Sequence, residues 1–215
     1  MKKITRIEYQ KNNKDRVNIY LDDNFGFGVD LNIMIKYGLA KNLELDDEFI
    51  SQILISEDKA KLYNYAISVL SRGSKSEKEL KLKLSDKGYD DESINTEIEK
   101  LKANKYINDD DYCKKFINDK INISKYGKRR IKEALINKGI DMELIEKNIS
   151  YVSQDDEIKI AYALAEKKLK SLTDAEPIKK KMKISSFLLN KGFDYEIVNK
   201  ISSKLLKVEN EGFED

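Results

Sequence analysis

The sequence holds no histidine, one cysteine and one proline in 215 residues. Without histidine, neither a Ser-His-Asp nor a Cys-His catalytic arrangement can be built. A lone cysteine with no histidine also excludes the ordinary structural and catalytic zinc sites. Cys113 has no partner for an intramolecular disulfide, which fits a reducing compartment, and a cytoplasmic protein is expected. No phosphate-binding loop of the GxxxxGK type occurs. Gly26-Phe27-Gly28 is a lone GxG in a strand-like run, read as glycines that let backbones approach closely. No stretch approaches the roughly 18 consecutive apolar residues of a membrane span. The opening run MKKITRIEYQKNNKDRV lacks the apolar segment of a secretory signal. A protein that is not an enzyme, carries no cofactor and meets no membrane is therefore expected.

Hydrophobic residues make up 40% and charged residues 37%, with only nine glycines, so a core is affordable beneath a heavily charged and mostly helical surface. Net charge is only +2, but it is unevenly spread. Residues 114–133 carry eight basic side chains against Asp119 and Glu133, whereas residues 41–58 carry six acidic ones against Lys41. Such polarity suits a partner that is itself charged.

Residues 1–57 read as a small β-rich head. Ile4, Thr5, Ile7 and Tyr9 form a β-prone run, and QKNNKD makes a turn. Val17, Ile19 and Leu21 alternate with polar neighbours, Asp23-Asn24 makes a second tight turn, and Phe25, Phe27 and Val29 alternate again. This predicts a β-hairpin extended to three strands. A short helix bearing Leu31, Met34 and Ile35 then stops at Gly38, and Asp46 or Asp47 caps a helix bearing Phe49, Ile50, Ile53 and Leu54.

Beyond residue 58 the chain repeats itself. The segments KLSDKGYDDESI, ALINKGIDMELI and FLLNKGFDYEIV align on Lys87-Gly88, Lys138-Gly139 and Lys191-Gly192, with glycines 51 and 53 residues apart. Leu84, Leu135 and Leu188 precede each glycine by four; Leu80, Ile131 and Ile184 precede it by eight. An apolar residue follows (Tyr89, Ile140, Phe193), then an aspartate (Asp90, Asp141, Asp194), and Ile94, Ile145 and Val198 come six after. The positions before glycine share one helix face. The glycine ends that helix in a left-handed cap, and the aspartate caps the next. A preceding helix carries a small residue at Ala66, Cys113 and Ala161. The fold class expected is mainly α: three tandem three-helix repeats (58–107, 108–153 and 154–208) stacked in an elongated, curved array after the head. Residues 209–215 are expected to be a disordered tail. Pro177 suits the first turn of a helix.

Asp109, Asp110 and Asp111 read as caps at a helix start rather than as ligands for Mg²⁺, and Cys113 as a small core residue rather than a redox thiol. The best candidate for contact with a partner or DNA is Lys125, Tyr126, Lys128, Arg129, Arg130 and Lys132. Lys125, Lys128 and Lys132 are expected on one helical face, where they can hold a phosphate backbone while Tyr126 stacks a base. The alternative is a solvated basic face. Lys179, Lys180, Lys181 and Lys183 read better as solvated. Lys2, Lys3, Arg6, Lys11, Lys14 and Arg16 make a third candidate patch.

These residues resemble the RecX family of regulators of the RecA recombinase, over nearly the whole chain. The resemblance is carried by Arg16-Val17-Asn18-Ile19-Tyr20-Leu21-Asp22 with Phe25-Gly26-Phe27, and by Leu70-Ser71-Arg72 with Ser76, Glu79-Leu80, Lys83-Leu84 and Lys87-Gly88-Tyr89. It continues through Tyr106-Ile107-Asn108-Asp109, Tyr112-Cys113 and Phe116-Ile117 to Gly127-Lys128-Arg129-Arg130-Ile131, Leu135 and Lys138-Gly139-Ile140. Cys113 stands where alanine is usual, and the third repeat keeps the apolar register but loses much of the polar pattern. A monomer is expected, because three repeats with a β-rich head can bury a core alone. The resemblance implies a protein that binds the RecA filament on single-stranded DNA. It would limit the filament's growth, ATP hydrolysis and strand exchange, with a place in DNA repair, homologous recombination and the SOS response. The competing readings are a nucleic-acid-binding helical repeat protein without a RecA target, and a scaffold that binds protein alone.

Overall fold

Alternating apolar residues in the first thirty positions need a second layer to cover them, and the chain supplies it with two helices. The computed structural model describes residues 1–172 and 176–211. Strands β1 (Lys2–Gln10), β2 (Asn13–Leu21), β3 (Asn24–Asp30) and the two-residue β4 (Glu44–Leu45) form an antiparallel sheet in the order β3-β2-β1-β4. The register sets Ile7 opposite Ile19, Ile19 opposite Phe27 and Val17 opposite Val29. Ile4, Val17, Ile19, Phe27 and Val29 point to one buried face, closed by Ile33 of α1 (Leu31–Lys36) and Ile53 of α2 (Asp47–Ser71). The fourth strand goes beyond the three expected.

Other local expectations shift by a residue. The second hairpin turn is at Asp22-Asp23, whose φ angles are 47° and 65°, and Asn24 already belongs to β3. Two successive left-handed residues make the turn whose twist matches the flanking strands, and aspartate tolerates that conformation. Asp30 caps α1 by accepting from the Asn32 N–H, and Ile35, expected on the apolar face, is exposed while Ile33 is buried. Of the two candidates for the next cap, Asp46 accepts from the Phe49 N–H at 2.7 Å. The added methyl of an alanine at Gly26 would lie 2.9 Å from the Leu21 side chain and 3.2 Å from the Ile19 carbonyl oxygen, so side chain as well as backbone approaches closely there.

From α2 onward the described chain is helical. α2 runs unbroken for 25 residues, across positions 57 and 58, from beneath the sheet into the first three-helix set. That set is completed by α3 (Glu77–Asp86) and α4 (Asp91–Ala103). The second is α5 (Asp109–Asn122), α6 (Lys128–Asn137) and α7 (Met142–Ile149); the third is α8 (Gln154–Lys170), α9 (Pro177–Lys191) and α10 (Tyr195–Glu211). Residues 209–211 thus belong to α10, and 212–215 lie outside the described residues.

The repeat register holds in three dimensions. Leu80, Leu84, Ile131, Leu135, Ile184 and Leu188 are all fully buried. Gly88, Gly139 and Gly192 have φ of 95°, 79° and 89°. At each corner the glycine N–H donates to the carbonyl three residues back and the next N–H to the carbonyl five back, as in Tyr89 to Leu84, Ile140 to Leu135 and Phe193 to Leu188. That is the Schellman arrangement, which satisfies the orphan carbonyls of a helix end. Pro177 stands in the first turn of α9, where its missing N–H costs nothing.

By contacts the chain forms two compact units, Met1–Gly73 with Leu80–Ala103, and Ser74–Glu79 with Asn104–Asp215. Residues 74–79 therefore belong with the second three-helix set.

Candidate partner interface

The basic segment begins outside the helix. α6 starts at Lys128 with Gly127 as its N-cap, and Lys125 precedes it with φ 53°. Lys125 is therefore not on the helical face expected for it; Lys128 and Lys132 are, and Gly127 separates them from Lys125. Lys125 is exposed and Tyr126 half-buried.

Most of the segment binds other parts of the protein. The Lys128 N–H donates to Glu157 Oε1 at 3.0 Å, and its ammonium lies 3.7 Å from Oε2. Arg129 Nη2 donates to the Leu189 carbonyl at 2.6 Å and Arg130 Nη1 to the Asn190 carbonyl at 2.8 Å. These guanidiniums satisfy the C-terminal end of α9, where cations also complement the helix dipole. Lys132 pairs with Glu146 at 2.7 Å within its own set. Gly127 donates to the Lys191 carbonyl at 2.9 Å, and the Arg129 N–H to the Gly192 carbonyl at 3.2 Å. The segment is thus the joint between the second and third sets.

The same joint occurs one repeat earlier, with different residues. The Glu77 N–H donates to Asp109 at 2.9 Å, as that of Lys128 does to Glu157. The Ser76 hydroxyl donates to the Lys138 carbonyl at 2.7 Å, and Lys78 Nζ to the Asn137 carbonyl at 3.3 Å. Lys138 pairs with Glu79, which also accepts from the Tyr112 hydroxyl at 3.0 Å. Burial pushes the Glu79 carboxyl up, but hydrogen bonds from Lys138, the Ser76 N–H and Tyr112 outweigh it and hold it below the usual carboxylate range. Ser76 and Glu79 form a reciprocal capping box, the Glu79 N–H donating to Ser76 Oγ at 3.2 Å and the Ser76 N–H to Glu79 at 3.1 Å. The S-x-x-E spacing was the sequence signal for it.

Positive charge also gathers around one ring of this joint. The Arg130 guanidinium lies 4.1 Å from the centre of Tyr126, with Lys191 at 5.1 Å and Lys120 at 5.9 Å. Tyr126 is therefore a cation platform, and Lys125 sits beside it in sequence, exposed.

The other candidates divide in the same way. In the head, Arg16 is held by the buried Glu57 at 2.6 Å, Lys2 pairs with Asp47 at 3.0 Å, and Arg6 lies 3.9 Å from the Tyr20 ring centre. Lys11 and Lys14 are exposed at the hairpin tip. Asn108, not an aspartate, caps α5. Hydrogen bonds from Asn148 and Lys114 hold the Asp110 carboxyl down to about 2. Among the described residues no group of three or more His, Cys, Asp or Glu side chains is arranged to hold a metal ion. Cys113 is fully buried, and burial pushes its thiol up to about 11. No described helix is long and apolar enough to cross a membrane.

Comparison with known proteins gives four consecutive family matches. The model for the "Regulatory protein RecX N-terminal domain" matches residues 2–46, and those for the first, second and third three-helix domains of RecX match 63–101, 108–147 and 155–201. The regulatory protein RecX of Clostridioides difficile (strain 630) is 39% identical over 203 residues, covering 94% of this chain and 95% of its own. That of Clostridium perfringens (strain 13 / Type A) is 38% identical, covering 95% and 97%. A crystal structure of a regulatory protein RecX superposes with a TM-score of 0.75 at 28% identity, covering 94% of this chain and all of that one. The crystal structure of RecX from Lactobacillus salivarius gives 0.65 at 31% identity, covering 70% of this chain and 97% of its own.

Proposed function

Because the chain belongs to the RecX family of regulatory proteins, we propose that it binds the RecA filament on single-stranded DNA and restrains its growth, ATP hydrolysis and strand exchange. The observation that carries this reading is the unbroken order of the four family modules along the chain. Its chemistry agrees with a binding role. The exposed Lys11 and Lys14 at the hairpin tip and the exposed Lys125 beside Tyr126 suit an anionic partner, and the acidic stretch at 41–58 suits a basic one. The protein acts in the cytoplasm and by contact, without catalysis of its own.

The test is DNA-dependent ATP hydrolysis by RecA of the same organism, with this protein titrated in. Inhibition far below one copy per RecA supports action on filament ends or growth. Inhibition only near equal amounts supports binding along the filament. No inhibition, together with no co-sedimentation with the filament, discards the reading and favours direct nucleic-acid binding.

A further inference from the structure

We propose that copies of this chain associate head to tail, the start of α9 of one copy docking against the Gly88 corner of the next. The protein makes this kind of contact twice within itself. At each internal joint the start of a set's middle helix packs on the Lys-Gly corner of the next set: residues 76–79 on Lys138-Gly139, and residues 127–130 on Lys191-Gly192. The fit is close. A methyl added at Gly139 would fall 2.5 Å from Lys78, and one at Gly192 would fall 2.3 Å from Arg130 Cβ.

Among the described residues the first corner of the series has no such neighbour, and none of them lies within 4 Å of a methyl added at Gly88. Beside it a cavity of about 530 Å³ opens between α2 and α4, walled by Leu62, Tyr89, Asp58, Asp90, Glu92 and Glu97 among others. The corresponding place in the third set, by Glu157 and Phe193, is filled by Tyr126 and Lys128, and Phe193 is fully buried where Tyr89 is only half-buried. The last middle helix of the series, α9, carries exposed apolar side chains near its start. Ile178 and Met182 are 75% and 65% exposed there, among Lys179, Lys181 and Lys183.

Charge selects the second copy as occupant. In the cavity's wall Asp58 pairs with Lys61 and the buried Glu97 with Lys100, which leaves the exposed Asp90 and Glu92 to face the lysine-rich α9 start. The match has two departures from the internal joints. α9 begins four residues earlier in the repeat than α6 does, adding a turn. The carboxylate that receives the helix start is also displaced. Asp109 and Glu157 stand four before Cys113 and Ala161, but the cavity offers Asp58, eight before Ala66. The contact joins two different surfaces, so it extends an open series rather than closing a symmetric pair.

Sedimentation velocity of the full chain at low salt tests this. The expected result is a mass that climbs above 25.0 kDa with concentration and falls back when salt is added. Glu92→Lys and Lys183→Glu, each verified as folded by circular dichroism, should each weaken association at least tenfold. Mixed in equal amounts they should associate again, because the intact plug of one meets the intact socket of the other and the two reversed charges attract in turn. A single 25.0 kDa species for the unsubstituted chain at every concentration overturns the proposal and leaves the corner to a different protein. Association that ignores both substitutions, or variants that stay apart when mixed, overturns it as well.

Discussion

The backbone N–H of Lys128 donates to the carboxylate of Glu157 at 3.0 Å, the counterpart of the bond from Glu77 to Asp109 one repeat earlier. Burial raises the Glu157 carboxyl above its ordinary value, against the opposing pull of Lys128. A carboxyl whose folded value is raised is least costly when protonated. Its contribution to stability is full below the ordinary glutamate value and is lost as pH rises through the folded one. Glu157→Gln removes that dependence. The melting temperature of the variant relative to the parent should therefore improve as pH rises from about 4 to about 7. A difference that stays flat, or moves the other way, in a thermal series would refute this account.

Glu79 predicts the opposite slope. Its carboxyl is held down, so it stabilises the fold above the ordinary glutamate value and loses that contribution as pH falls. Its partner Ser76 does two jobs, capping α3 and donating to the Lys138 carbonyl. Ser76→Ala should cost about 2 kcal/mol, a lost cap plus a buried hydrogen bond, read from urea denaturation midpoints.

Gly127 has an ordinary φ of −76°, so its need is for space. A methyl there would fall 2.3 Å from the Gly192 carbonyl oxygen and 2.5 Å from the Phe193 nitrogen. Gly127→Ala should destabilise by about 3 kcal/mol, because backbone on both sides must part. Limited proteolysis should then cut between the second and third sets faster than in the parent.

In the proposed role, the cations to test are the exposed Lys125 and the half-buried Lys120 beside Tyr126, not those pinned at the joint. Alanine at Lys128, Arg129 and Lys132 would strip the bonds to Glu157, Leu189 and Glu146 and so confound folding with binding. Lys120→Gln with Lys125→Gln should weaken filament binding and lower the slope of log affinity against log salt by about one for each phosphate that the lysines had neutralised. An unaltered slope in a fluorescence titration would remove these two lysines from the interface.

Cys113 offers a clean probe, being the sole thiol in the chain. Buried, with its thiol pushed up to about 11, it should react with a disulfide reagent at neutral pH at least a hundredfold more slowly than in denaturant. Rapid labelling of the native protein would mean that the second core opens readily.

The repeat was legible because each corner demands glycine for its left-handed φ and apolar residues at fixed offsets, and those demands recur as letters. The joints were not. Their partners, such as Ser76 and Lys138, lie 62 positions apart. The residue types also change from joint to joint, serine to glycine, lysine to arginine, aspartate to glutamate. A run of basic letters likewise says nothing of where each side chain ends. Arg129 and Arg130 look like a solvated patch until the α9 carbonyls beneath them are seen. The two-residue β4 is too short to leave a periodic trace.

The unbroken α2 has a mechanical consequence. Twenty-five residues of helix make a beam roughly 37 Å long. It is clamped near its middle, where the buried Glu57 accepts from the Asp30 N–H at 2.7 Å and pairs with Arg16. A sheet bolted to such a beam has no slack with which to swivel. A tug on the hairpin tip is delivered as torque to the first three-helix set, and the two move as one lever.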